Sequence, residues 1–404
     1  MRILFVTTFY PPFNLGGDGI AVQRMARALA RDGHEVEVIH NVGAWALVRG
    51  EPAPSPLPDR DDSGVRIHPI TGGSRLSLLV SHQTGAPTGP LKRVAEEIER
   101  NRPDLIHFHN VSLMGGPGIL GSGRAVKFGT FHDYWFVCPM HVLWRFDREA
   151  CSKRTCFRCT IHGRRPPQLW RGSRAANRLI RQVDAWIAPS RTARQLLLRN
   201  GFPAEIEVIP HFVPEIPGPG SSPHARSRPF FLFVGRLERL KGIDRLVRIF
   251  RRFDRAELHI AGDGSLRNEI RRDAELHDHI HLHGTVANSE LRDLYRGAVA
   301  LIAPSGCYET FGLSPLEAFA CGTPAIVSGT GALKELAEDT GAAIVADDDD
   351  EIISAMDLLL EEPDRRDALG KLGLDATRRE YNERRFLDRY RELFERAARS
   401  RKKK

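Results

Sequence analysis

Short apolar runs that end on a polar or glycine-rich turn recur along this chain, and most are followed by a stretch with apolar residues at helical spacing. RILFVTT at 2–8, EVEVIH at 35–40, PDLIHFH at 103–109, residues 125–130 and DAWIAPS at 184–190 form a first series. FFLFV at 230–234, ELHI at 257–260, HLH at 281–283, AVALIA at 298–303, and residues 323–328 and 342–345 form a second. Runs so short and so uniformly apolar read as strands buried on both faces, and strand–helix alternation builds a parallel sheet covered by helices. Between the two series, PEIPGPGSSPHARSRP at 214–229 has the composition of a linker. A chain of 404 residues is long for one core and comfortable for two. The expected class is α/β, with two Rossmann-like doubly wound domains over residues 1–212 and 213–383.

Open parallel sheets take ligands at the carboxyl ends of their strands, so the chemistry is sought there. In the first half Gly16 and Gly17 lie in NLGGDG after the first strand. The loop lacks the G-x-G-x-x-G spacing, which argues against a nicotinamide or flavin site. It reads either as a backbone cradle for a phosphate or acceptor, or as a flexible connection. His109-Asn110 and His132-Asp133 end later strands at the same edge. In the second half Arg236 and Lys241 follow the first strand, where they suit a diphosphate, although each alone is an ordinary surface charge. Residues 305–322, SGCYETFGLSPLEAFACG, place Glu309 and Glu317 eight positions apart around a helix start. Ser314 reads as N-cap, Pro315 as the first helical residue and Glu317 as a capping-box acid. The free amides of that turn form an anion site, and the two acids suit the hydroxyls of a nucleotide-sugar. The plainer alternative makes Glu317 only a cap and Glu309 a solvated loop acid.

The net charge of +8 is unevenly placed. Residues 145–199 carry 14 basic and 3 acidic side chains, while the second half of the chain is slightly acidic. Such a patch suits an anionic membrane surface, a phosphorylated acceptor, or plain solvent. Nucleic acid is not expected, because no recognition motif or repeated stacking aromatics accompany the charge. No apolar run is long enough to span a bilayer, and Met1 leads into a strand instead of a secretory leader. The expected location is cytoplasmic, with peripheral docking at the inner membrane face. Cys138, Cys151, Cys156 and Cys159 fall within one basic stretch. Disulfides do not suit a reducing compartment, and four thiols at this spacing suggest a structural zinc site, with unligated thiols or an iron–sulfur cluster as alternatives.

GRL-x3-KG at 235–242, AGDG at 261–264, the E-x7-E pair of Glu309 and Glu317, the GG loop and FHDYW at 131–135 together resemble glycosyltransferase family 4. The resemblance spans nearly the whole chain. It implies a GT-B fold, two Rossmann-like domains facing across a cleft, with the last helix at 384–399 crossing back to the first domain. It also implies sugar transfer from a UDP-, GDP- or other nucleoside diphosphate sugar, with retention at the anomeric carbon and no cofactor or catalytic metal. The acceptor would be a glycan or a polyprenyl- or other lipid-linked molecule. By position, Arg236 and Lys241 would bind the diphosphate and Glu309 the donor-sugar hydroxyls. Phe311, Gly312 and Leu313 would present backbone groups, and Glu317 would hold the ribose diol. Gly262, Asp263 and Val286 would border the base, Gly16 and Gly17 would form the acceptor-side loop, and His132 would be the active-site histidine. Two other readings compete: a nucleotide-sugar epimerase of the same fold, and a non-catalytic scaffold subunit, whose mark would be a decayed site.

Overall fold

The structure, a computed structural model of the chain, describes residues 1–72, 74–216 and 228–402. Most of the linker expected at 214–229 lies outside these residues. The alternating runs form two sheets in which every strand pair is parallel. The first contains β1 (Arg2–Val6), β2 (Glu35–Asn41), β3 (Arg66–Ile70), β4 (Leu105–Phe108) and β5 (Val126–Thr130). After a small antiparallel hairpin of β6 (Trp144–Arg145) and β7 (Glu149–Ala150), it gains β8 (Ala185–Ala188) and β9 (Ile206–Val208), in the order β3-β2-β1-β4-β5-β8-β9. The second contains β10 (Phe230–Val234), β11 (Glu257–Ala261), β12 (Ile280–Gly284), β13 (Ala300–Ala303), β14 (Ala325–Val327) and β15 (Ala343–Val345). Its order is β12-β11-β10-β13-β14-β15. In both, the order reverses beside the first strand, the switch point at which such sheets bind ligands.

Two compact units follow from the contacts. One comprises Met1–His141, Arg154–Pro210 and Phe386–Lys404, and the other Val142–Lys153 and His211–Arg385. The last helix, Glu383–Lys402, buries Phe386, Tyr390, Leu393 and Ala397. It is tied to the first unit by Tyr390 Oη to His107 Nδ1 at 2.9 Å and by the ion pairs Arg391–Asp32 at 3.0 Å and Arg396–Glu207 at 2.9 Å.

Period-two alternation divides each strand between two cores. On β10, Phe231 and Phe233 pack with Leu246 and Phe250 on one face, while Phe230 and Leu232 pack with Leu316 and Phe319 on the other. Each such side chain contributes about 1.5–3 kcal/mol by leaving water. Four short helices are not foreshadowed by the sequence: Val42–Arg49, Arg75–Thr84, Cys156–His162 and Arg174–Ile180. Three of them carry a side-chain N-cap, from Asn41, Ser74 and Ser173. Their apolar stripes are too short to show a period.

A zinc staple at Cys138, Cys151, Cys156 and Cys159 stays a proposal; Cys138 and Cys159 are buried, and Cys151 and Cys156 are half-buried. The half-buried guanidinium of Arg171 stands near Cys138 and Cys156, stacked on Trp135 and Trp170. Burial pulls its pKa down to about 10.

His40, at the end of β2, is buried, and its Nδ1 has no hydrogen-bond partner. Burial lowers its pKa to about 3, well below the unfolded value of 6.5. Below pH 6.5 the unfolded chain therefore takes up a proton that the folded one refuses, so this contribution is intact above pH 6.5 and lost as pH falls. The cost is about 1.4 kcal/mol per pH unit, or about 2 kcal/mol at pH 5. Urea unfolding at about pH 7.5 and pH 5 should show His40→Leu losing less stability on acidification than the parent, by about that amount. An equal loss in both proteins would refute the assignment.

Candidate active site

In the second unit the ends of β10 and β11 are stitched by backbone hydrogen bonds. Gly235 N donates to Ala261 O at 3.1 Å, Leu237 N to Asp263 O at 3.0 Å, and Gly262 N to Gly284 O at 2.7 Å. Arg236 is thereby held between two fixed neighbours, next to the 262–264 turn. Asp263 Oδ1 accepts from Gly264 N at 2.9 Å and pairs with Arg267 at 3.6 Å. Val286 follows β12 and is partly buried against the core.

Lys241 closes a single 3-10 turn, and Gly242 after it has φ +73°. A Cβ there would lie 2.1 Å from Pro304 O, so only glycine lets the two segments approach this closely. Gly306 N then donates to Leu240 O at 3.0 Å, which carries the loop after β13 up to Lys241. The result is an ion pair, Lys241 Nζ to Glu309 Oε1 at 2.5 Å. Ser305 Oγ donates to the same oxygen at 2.7 Å, and the Glu309 carbonyl accepts from Ala332 N at 3.2 Å. Burial works to raise the Glu309 pKa. The Lys241 ammonium, its hydrogen bond, the Ser305 hydroxyl and Arg236 more than offset this, holding the carboxyl below its ordinary value. Its side chain is 19% exposed, so the charge still faces solvent. Among the described residues Arg236 makes no ion pair of its own, which leaves a guanidinium beside the Lys241–Glu309 pair for an anion.

The helix after this loop starts earlier than Ser314 suggests. It spans Leu313–Ala320, and Gly312, at φ +118°, is the N-cap. A Cβ on Gly312 would stand 2.8 Å from Leu333 Cδ2, so the αL start depends on glycine. Ser314 and Pro315 are therefore the second and third helical residues, and Glu317 lies in the second turn, outside a capping box. The amides of Leu313 and Ser314 have no intrahelical acceptor and keep the anion-binding character expected of this end. Glu317 Oε2 accepts from Tyr295 Oη at 3.0 Å, a partner that no spacing in the sequence announces. Phe311 is buried edge-on to His211 and Tyr381, so its ring serves packing and only its backbone is available. The β6–β7 hairpin sends Trp144 against the same loop, with its ring 2.9 Å from where a Cβ of Gly306 would be.

In the first unit Gly16, extended at φ −172°, caps the helix Gly17–Arg31, and Asp18 is the acid of its first turn. Gly19 is the residue that needs its lack of a side chain, since a Cβ would meet Asn14 Cβ at 2.7 Å. His132 follows β5 and joins His109 Nδ1 through Nε2 at 3.0 Å. The His109 ring lies 4.0 Å from that of His107, which is fixed by Thr130 Oγ1 at 2.7 Å and by Tyr390. Burial lowers the His132 pKa, and the nearby Asp18 and Asp133 work against it, so the neutral imidazole prevails at neutral pH. Gly16, Gly17, Asp18 and His132 thus share one edge. Asp133 is held by His141 at 2.8 Å and by Trp135 N at 2.9 Å.

The family profile Glycosyl transferases group 1 matches residues 219–374, and Glycosyltransferase Family 4 matches residues 15–215. Glycogen synthase of Mycobacterium tuberculosis is 28% identical over 385 residues, covering 90% of this chain and 87% of that protein. D-inositol 3-phosphate glycosyltransferase of Kineococcus radiotolerans is 29% identical, covering 88% and 85%. Among solved structures, sucrose-phosphate synthase of Thermosynechococcus elongatus superposes with a TM-score of 0.75 at 18% identity, covering 99% of this chain and 100% of that one. Anabaena HepE in complex with UDP-glucose gives 0.68 at 15%, covering all of both chains. The two profiles adjoin, and the relatives align with this chain over most of their own length: the chain belongs to the GT-B glycosyltransferases of the family 4 type.

Proposed function

We propose that this protein is a retaining hexosyltransferase that moves a sugar from a nucleoside diphosphate sugar to a glycan or lipid-linked acceptor. The observation that carries the reading is the Lys241–Glu309 ion pair beside an Arg236 that makes no ion pair among the described residues. Arg236 grips the diphosphate in bidentate fashion. Lys241 has three donors, so it can keep Glu309 and reach the phosphate as well. Glu309, held ionised, accepts from the donor-sugar hydroxyls, and Glu317, aimed by Tyr295, accepts from the ribose diol. The amides at Gly312 and Leu313 face the phosphate, and Gly262, Asp263 and Val286 border the base. Gly16 and Gly17 receive the acceptor, with His132 beside them. Solved HepE carries UDP-glucose, which supports a nucleotide-sugar donor here.

Transfer then proceeds on one face of the sugar. The acceptor oxygen bonds to the anomeric carbon as the carbon–oxygen bond to the diphosphate breaks, and the acceptor proton passes to the departing phosphate oxygen. The cations offset the charge that develops on the leaving group, and positioning supplies the rest of the acceleration. A thermal-shift screen across nucleoside diphosphate sugars should single out one donor, because binding to the folded state alone stabilises it by mass action. Mass analysis of the product should then show one sugar added to the acceptor, and the anomeric proton coupling in NMR should show retained configuration. Release of the nucleoside diphosphate with no gain of mass on any acceptor, or an inverted product, would refute the reading.

The acceptor side is read as docking on an anionic membrane. No helix among the described residues is long and apolar enough to cross one. The basic segment 145–199 instead displays Phe157 at 67% exposure and Leu169 at 77%, apolar groups among arginines that suit an interface. Charge-reversing Arg158, Arg164 and Arg165 should abolish co-sedimentation with phosphatidylglycerol vesicles, and undiminished binding would rule this surface out.

A further inference from the structure

We propose that Glu257, His259 and His281 form a binding site for a divalent ion of the zinc type on the second sheet, away from the donor residues. The placement follows from strand geometry. Glu257 opens β11 and His259 lies two residues on, so both point to one face, while Leu258 and Ile260 enter the core on the other. β12 runs parallel with His259 beside His281 in register, and Leu258 and Ile260 stand opposite Ile280 and Leu282. Register thus gathers two histidines and a carboxylate on one face of an edge strand pair.

Their ligand atoms all fall within 4.8 Å of one another, the only such group of three among the described residues. Glu257 Oε2 is 3.1 Å from His259 Nε2 and 3.5 Å from His281 Nε2. Zinc bonds of about 2.0–2.1 Å in a tetrahedron require ligand atoms about 3.3 Å apart, so both separations are edges of such a polyhedron. The His281 Nε2 atom is buried and has no hydrogen-bond partner, although it faces the carboxylate. A buried ring nitrogen left in that state is costly, and a shared cation satisfies it together with the other two ligands. His259 Nδ1 lies 2.8 Å from His283 Nε2. With Nδ1–H donating to His283, the Nε2 lone pair of His259 turns toward Glu257. That outer hydrogen bond is the usual support of a metal-bound histidine. The donor set of two imidazoles and one carboxylate suits zinc, with cobalt(II) and nickel(II) as substitutes. His281, 37% exposed, opens the fourth position and the way in. The ion would pin edge strand β12 to β11 upstream of the Gly262 and Val286 turns.

The test uses the full chain, stripped with a chelator and titrated with Zn²⁺ in a calorimeter and with Co²⁺ by visible absorption. One ion per chain is expected, with a tetrahedral cobalt spectrum and a raised melting temperature. His281→Gln and Glu257→Gln should each weaken binding at least about tenfold and remove the thermal shift, and His283→Gln should weaken it roughly tenfold. A variant with Cys138, Cys151, Cys156 and Cys159 all changed to serine should still bind, which separates this site from the thiols. His259 is too buried to serve as the first probe. His281→Gln and Glu257→Gln must melt like the parent in chelator, and if either does not, alanine at the half-exposed His281 replaces it. Less than one ion per chain at tenfold excess Zn²⁺, or binding unchanged in His281→Gln and Glu257→Gln, would overturn the proposal. Neither result bears on sugar transfer, which rests on other residues.

Discussion

Lys241→Met is expected to lower kcat about 10²–10³-fold, or roughly 3–4 kcal/mol of barrier, while leaving the melting temperature within a few degrees of the parent. Two effects add. The departing diphosphate loses a cation whose placement is fixed by the turn at Gly242, so no water can replace it without reorganising. Glu309 also loses the partner 2.5 Å away that keeps its carboxyl ionised despite burial. The second effect has its own signature. In the parent the Glu309 pKa is held below its ordinary value, so activity falls only when pH drops beneath that range. Without Lys241, desolvation prevails and the acidic limb of kcat/KM moves toward neutrality. Lys241→Arg should restore the pH profile more fully than the rate, because a planar guanidinium keeps the charge and changes its reach. A Lys241→Met enzyme within threefold of the parent, or one whose acidic limb does not move, would remove Lys241 from the chemistry.

How much of the site is legible in the sequence depends on whether its determinants are local. The strands are legible because burial on both faces leaves continuous apolar runs such as FFLFV, and the turns carrying Arg236, Gly262 and Glu309 follow directly from them. The helix start is not, and differs by two residues. Ser314-x-x-Glu317 imitates a capping box, yet the positive φ that Gly312 alone tolerates begins the helix first. Long-range partners leave no trace: Tyr390 reaches His107 across 283 positions, and Tyr295 finds Glu317 through packing. The cation beside the cysteines is hidden for a related reason, since the guanidinium of Arg171 near two of the thiols comes from farther along the chain. The Glu257–His259–His281 cluster is hidden because histidines inside strands look like strand residues until register is known.

Gly262→Ala is expected to destabilise the second unit and to weaken donor binding at least about tenfold, although residue 262 offers no side chain to any ligand. Its φ of +148° is one that alanine adopts only under strain, at about 1–3 kcal/mol. A Cβ would also sit 1.9 Å from Gly235 O and 3.0 Å from Gly235 C, so the end of β10 must move away from the end of β11. That movement breaks the alignment of Leu237 N with Asp263 O and carries Arg236 with it. Strain and displacement can be separated with Gly322→Ala, since Gly322 has φ +77° and a Cβ added there would have nothing within 4 Å. The Gly322 variant should lose about 1 kcal/mol of stability and bind the donor normally. Donor affinities measured by calorimetry on both variants decide the matter. If they are equal, the close approach of the two strand ends does not set the position of Arg236. If only Gly262→Ala falls, a backbone contact 26 residues from Arg236 in sequence governs how the diphosphate is held.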